Sequence, residues 1–140
     1  MKKAYFILSV LMVFGGFSAG FAQGKTVVST PKIEVYYFHP TERCPIDQSI
    51  EQNLNKLMQN SFAKEIKDGK IKFQVINTDD KSQAKTVARF DINVQALYLL
   101  TRKEGKEIKN DFTRFAFDYG QSNPDRFRAS LKVEIENALK

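Results

Sequence analysis

The sequence predicts an α/β fold: a three-layer sandwich in which a mixed four-stranded sheet carries helices on both faces. Three observations predict it. Two runs rich in β-branched and aromatic residues flank a long stretch whose apolar residues recur every three or four positions, a strand–helix–strand unit. Two further extended runs are joined by the turn Lys103-Glu104-Gly105-Lys106. Asn123-Pro124 then opens a last amphipathic stretch. A crossover unit followed by a hairpin and a closing helix gives a layered sandwich with a mixed sheet.

Each element has its own residue pattern. Ile33-Glu34-Val35-Tyr36-Tyr37-Phe38 reads as a buried strand, and His39-Pro40-Thr41-Glu42-Arg43 as the loop that ends it. Pro45 to Lys67 reads as one helix, with Ile46, Ile50, Leu54, Leu57, Met58 and Phe62 along one face. Pro45 suits the first turn, where its missing N–H has no partner to lose, and Asp47 and Glu51 favour the positive end of the helix dipole. Asp68-Gly69 closes that helix, and Ile71, Phe73 and Val75 alternate along a second strand. Asn77 to Asp80 offers caps for a helix over Lys81 to Phe90, with Ala84, Val87, Ala88 and Phe90 as its apolar side. Asp91 to Ala96 reads as a connector and Leu97 to Leu100 as a third strand. Glu107 to Asn110 is a shorter edge strand, and Phe112 to Tyr119 a brief helical stretch. Asn123 caps the last helix, with Pro124 at its first position and Phe127, Leu131, Ile135 and Leu139 on its inner face.

Composition bounds the rest. A chain of 140 residues with 42% hydrophobic and 27% charged residues has the balance of one globular domain. Its 12 Phe and 5 Tyr supply the core in the absence of Trp. Residues 1–22 read as a signal peptide: Lys2 and Lys3 are basic, Ala4 to Phe17 is almost wholly apolar, and Gly20 and Ala22 suit a cleavage site after Ala22. The apolar run is shorter than the roughly 18–20 residues of a spanning helix, so no stable membrane anchor is expected after cleavage. The expected destination is the periplasm or the outside of the cell. Residues 23–31 form a flexible lead-in to a single domain over 32–140. Removing Lys2 and Lys3 from the 22 Lys and Arg leaves a small excess over the 16 Asp and Glu. Those charges are scattered among acids rather than clustered with aromatics, so no nucleic acid is expected as a partner. No glycine-rich phosphate loop is present, and no cofactor is expected.

The chemistry gathers at Tyr36-Tyr37-Phe38-His39-Pro40-Thr41-Glu42-Arg43-Cys44-Pro45-Ile46-Asp47. A strand ends, a short loop turns, and the only cysteine stands at the mouth of a long amphipathic helix. The element order and this placement resemble the thioredoxin fold, which carries its Cys-x-x-Cys motif there. The wording is similar to a group of exported thioredoxin-like bacterial proteins, the ArsF-type (nitroreductase-associated) family. The likeness lies in Tyr36 to His39, Arg43-Cys44 and Ile50-Glu51, then in Ile76-Asn77, Ala96 to Leu99, and Phe115-Ala116-Phe117 leading to Asn123-Pro124. Two departures matter. Asp47 stands where the motif has its second cysteine, and Ala96 stands where thioredoxins carry a cis-proline, so a trans peptide is expected there.

A dithiol oxidoreductase needs a second thiol to expel the product from the mixed disulfide, and Asp47 has none to offer. Dithiol turnover is therefore disfavoured. Three readings stay open. The first is an accessory, non-catalytic protein that binds another exported protein or peptide. The second is a monothiol redox protein with Cys44 as its nucleophile; the helix N-terminus, Arg43 and a protonated His39 would favour its thiolate, and Asp47 would oppose it. The third is a small metal- or ligand-binding module on the loop from His39 to Asp47, whose residue types suit a metal but whose spacing is not specific. Candidate site residues are thus His39, Arg43, Cys44, Pro45, Asp47 and Ala96. A lone histidine at a strand end is ordinarily a structural hydrogen-bonder, and a single exported cysteine is either inert or free to pair elsewhere.

Overall fold

β1, Ile33–His39, is buried at all seven positions and forms the spine of the molecule. The computed structural model describes residues 30–140. The expected signal peptide and most of the lead-in lie outside the described residues. β1 pairs in parallel with β2, Ile71–Asn77, and antiparallel with β3, Ala96–Lys103. β3 continues through a two-residue turn into β4, Lys106–Asp111, and the sheet order is β2-β1-β3-β4. A parallel neighbour demands a crossover, which α1, Pro45–Ser61, and α2, Ala63–Lys67, provide. α3, Ala84–Phe90, links β2 to β3, and α4, Thr113–Tyr119, and α5, Pro124–Leu139, close the chain. The α/β class and the mixed four-stranded sheet are as the sequence predicts.

Period-two alternation sends β1 to two different cores. Ile33, Val35 and Tyr37 join Leu97 and Leu99 of β3 under α1, α4 and α5, where Ile50, Leu54, Phe127, Leu131 and Ile135 have no exposed surface. Tyr36 and Phe38 turn to the opposite side and meet Ile76, Ala96, Leu100 and Phe90 of α3. Helices therefore lie on both faces. Glu34 points to the α3 side as well, buried beside Arg102 and the Tyr36 hydroxyl. Among the described residues no helix is long and apolar enough to cross a membrane.

Several elements differ from the sequence expectation. The helix expected over Pro45 to Lys67 breaks at Phe62, whose backbone leaves helical geometry at φ −131° and ψ 15°. The three-to-four spacing continues across the break through Met58, Phe62 and Ile66, so the pattern alone reads as one helix. Lys81–Gln83 is a 3-10 turn, capped by the Asp80 carboxylate on the Ser82 N–H at 2.9 Å, and α3 begins after it. Ala84 and Ala88 face solvent; the inward side is Val87 and Phe90. Small alanines lose little by exposure, so the larger pair sets the helix rotation. His39 is the last residue of β1 rather than a loop residue, and Ala96 opens β3 rather than ending a connector.

The close approach of α4 to α1 depends on Gly120. A Cβ there would stand 2.5 Å from both the Ala116 carbonyl oxygen and Ile50 Cγ1. The Gly120 carbonyl accepts bonds from Ser49 Oγ at 2.8 Å and Asn53 Nδ2 at 3.1 Å, which fixes α1 against the end of α4.

Candidate functional site

β1 delivers the chain to the mouth of α1 through Pro40 to Arg43. That loop is tied to the next crossover: the Thr41 N–H donates to Asp79 Oδ2 at 2.7 Å, and the Thr78 N–H to the His39 carbonyl at 2.8 Å. Cys44 is the N-cap of α1 in extended conformation, Pro45 is the first helical residue, and Asp47 sits three positions into the helix. The arrangement is that of a capping box, in which the third helical residue reaches back to the N-cap N–H.

Asp47 is the hub. It has no exposed surface. Its Oδ2 accepts from the Cys44 N–H, the Cys44 thiol and Gln95 Nε2, each at 3.1 Å. Its Oδ1 accepts from the Tyr37 hydroxyl at 3.2 Å. Burial would raise the carboxyl pKa, but the bonds from the Cys44 thiol and N–H, Gln95 and Tyr37 outweigh it and hold the pKa below the usual carboxylate range. A buried ion without such donors would be costly. The Tyr37 hydroxyl is pushed up, first by burial and then by the Asp47 charge, so it stays a neutral donor. One carboxylate thus joins β1, the start of α1 and the segment before β3.

Cys44 itself is exposed. Its thiol donates to Asp47, so an anion at Sγ would face another anion 3.1 Å away. The Arg43 guanidinium is engaged elsewhere. It lies across the imidazole of His39, with Nε 3.0 Å from Nδ1 and Nη2 2.5 Å from Nε2, and it pairs with Glu51 through Nη1. His39 is buried. Arg43 therefore braces β1 against α1 instead of facing the thiol. His39 Nδ1 lies 2.8 Å from the Pro40 carbonyl, to which it donates, which leaves Nε2 as the nitrogen that accepts from Arg43. Among the described residues no three His, Cys, Asp or Glu side chains stand close enough to hold a metal ion.

Of the six candidate residues, Cys44, Asp47 and, through Gln95, the backbone leading to Ala96 come together. His39 and Arg43 form a separate brace, and Pro45 serves the helix start. Ala96 is buried, and no peptide bond among the described residues is cis. Gln95 and Tyr37 are site residues that the sequence reading missed. The Cys-x-x-Asp spacing at a helix start was the available signal for Asp47 as a cap. Nothing local marks Gln95, which arrives from 48 residues away.

No protein-family model matches the chain, and no curated protein matches it. Among solved structures, one described as "Structure of a malarial protein" is similar at 15% identity and a TM-score of 0.40, covering 62% of this chain and 93% of that one.

Proposed function

We propose that this chain is an exported thioredoxin-like protein that performs no dithiol exchange and acts by binding another exported protein or peptide. The observation that carries the reading is Asp47. It occupies the place of a resolving thiol and is committed as a buried capping carboxylate to Cys44, Gln95 and Tyr37. A side chain so engaged neither attacks a mixed disulfide nor leaves room for a group that would. The β2-β1-β3-β4 order, with a cysteine between β1 and α1, supports the thioredoxin-like part of the reading. An apolar run ending in Gly20 and Ala22 supports export.

A second reading has its own observation. Cys44 is exposed at a helix N-terminus, which suits a thiol that forms a mixed disulfide with a partner. Two measurements separate these. The processed protein, given dithiothreitol and insulin, is expected to add nothing to the rate of the reductant alone; turnover at the rate of a dithiol thioredoxin would overturn both readings. Recovery of tagged protein after thiol blocking is expected to bring the same partner with the wild type and with Cys44→Ser. A partner linked by a disulfide and lost with Cys44→Ser would replace the first reading by the second.

A further inference from the structure

β4 is one of the two edge strands of the sheet, β2 being the other. All six of its residues are exposed, and its strand neighbour is β3. The two-residue turn Glu104-Gly105 sets Lys103 opposite Lys106. In an antiparallel ladder the residues flanking such a turn bond each other, and bonding then alternates along the strand. The Phe112 N–H, 2.8 Å from the Leu97 carbonyl, continues the even-numbered series that points at β3. The main-chain groups of Glu107, Lys109 and Asp111 therefore point out of the sheet.

We propose that a second copy of this chain pairs with this edge, β4 against β4, antiparallel about a two-fold axis at Ile108. A continuous sheet keeps its faces, so even residues must oppose even and odd oppose odd. With the axis at Ile108, Glu107 of each copy faces Lys109 of the other on both sides of the axis. These are the residues whose N–H and C=O groups are free, so each pair exchanges two main-chain bonds. Ile108 is 45% exposed and meets its own copy between them, at the position where side chains approach most closely. The neighbouring allowed registers centre on Glu107 or Lys109 and set like charges on the axis. Lysines on an edge strand ordinarily repel a second strand; here this register sets Lys109 opposite a carboxylate, that of Glu107, which also pairs with Arg89 and Arg102 of its own chain, and sets Lys106 opposite the neutral Asn110. Lys109 has no carboxylate within 4.0 Å in its own chain among the described residues, its Nζ lying 4.8 Å from the centre of the Tyr98 ring.

One strand edge is a small interface, so the pair belongs to the weak, concentration-dependent class. Sedimentation of the processed protein from about 1 μM to about 1 mM is expected to show the mass doubling within the range. Lys109→Glu places two glutamates against each other on both sides of the axis and is expected to weaken association at least about ten-fold, about 1.4 kcal/mol. Lys109→Arg is expected to retain it. Hydrogen exchange of the wild type supplies a readout that needs no variant: the amides of Glu107 and Lys109 slow as concentration rises, while that of Ile108, already bonded to β3, does not. A monomer across the whole range, a dimer indifferent to Lys109→Glu, or concentration-dependent protection only outside β4 would each overturn the proposal.

Discussion

The two faces of the sheet meet the same burial problem with different materials. β1 sends Ile33, Val35 and Tyr37 to the side covered by α1, α4 and α5, where aliphatic side chains and rings close the space and Asp47 is a polar island. It sends Glu34, Tyr36 and Phe38 to the side covered by the seven-residue α3. A helix of two turns cannot span four strands. The rest of that face is covered by a ladder of alternating charges, in which Glu34 pairs with Arg102, Arg102 with Glu107, and Glu107 with Arg89 of α3. Long paired side chains lay their stems over apolar surface and keep their charges satisfied, which is how a short helix suffices. The difference teaches that the candidate site is built on the thickly covered face, whereas the thinly covered face is closed by ion pairs that reach out to β4.

The largest expected effect tests that contrast with one residue type. Phe127 has no exposed surface and stacks on Phe115 with ring centres 6.0 Å apart, between α1 and the sheet. Phe127→Ala leaves a cavity that fixed neighbours cannot fill, and its expected cost is about 3–5 kcal/mol. Phe90 is also buried, but the ends of Arg89 and Lys109 lie 5.2 Å and 5.9 Å from its ring centre. Those flexible side chains can settle into the space, so Phe90→Ala is expected at or below the low end of the same range. Urea unfolding with unchanged m-values reads both. Equal costs would remove the distinction between the faces.

That contrast was only half legible in the sequence. Periodicity marked the strands and most helices because each apolar face is continuous: Ile50, Leu54, Leu57 and Met58 declare α1, and Phe127, Leu131 and Ile135 declare α5. It failed where geometry changes without a change of pattern, as at Phe62, and where a helix has too few turns to show a face, as with Ala84 and Ala88 in α3. In the site, Cys44 and Asp47 were visible through their spacing. Asp47 read as a charge opposing a thiolate, because its other donors, Gln95 and Tyr37, arrive through tertiary packing. Arg43 read as a neighbour of Cys44 in sequence, yet its partners are His39 and Glu51. Glu34 was a lone acid in a run of apolar residues, but its partner Arg102 lies 68 residues away.

A smaller effect distinguishes the two buried acids. Burial would raise the Glu34 pKa, but hydrogen bonds from Tyr36 and Arg102 bring it below its ordinary 4.5. Asp47 is likewise held below 3.8. A carboxyl lowered by folding contributes stability that is fully present above its unfolded pKa and is lost as pH falls through the folded one. Both contributions are thus intact at neutral pH and fade below about pH 4. Glu34→Gln and Asp47→Asn are each expected to cost about 1–3 kcal/mol at pH 7 and to flatten the acid limb of the stability profile. The two groups share no partner and lie on opposite faces, so the double variant is expected to lose the sum of the single losses to within about 0.5 kcal/mol. A larger coupling in urea titrations would mean that the faces do not act independently.

The smallest effect concerns the hairpin that carries β4. Glu104 and Gly105 both have positive φ, 52° and 75°, the signature of a turn matched to the twist of its strands. Gly105 adopts this freely and a glutamate does not, whereas Asn-Gly is the preferred pair for such a turn. Glu104→Asn is therefore expected to stabilise the protein by about 0.5 kcal/mol, raising Tm by about 2–4 °C. The location of the gain carries the argument. β4 is bound on one side by β3 alone, so its amides open by local fraying well below the global unfolding energy, whereas those of α1 and α5 open only with the whole core. Relief of strain in the turn should slow exchange at the β3–β4 pairs. In α1 and α5 it should slow exchange by no more than the global gain. Uniform slowing, with no excess in the hairpin, would mean that β4 already unfolds with the deep core, and that the thinly covered face is as firmly held as the other.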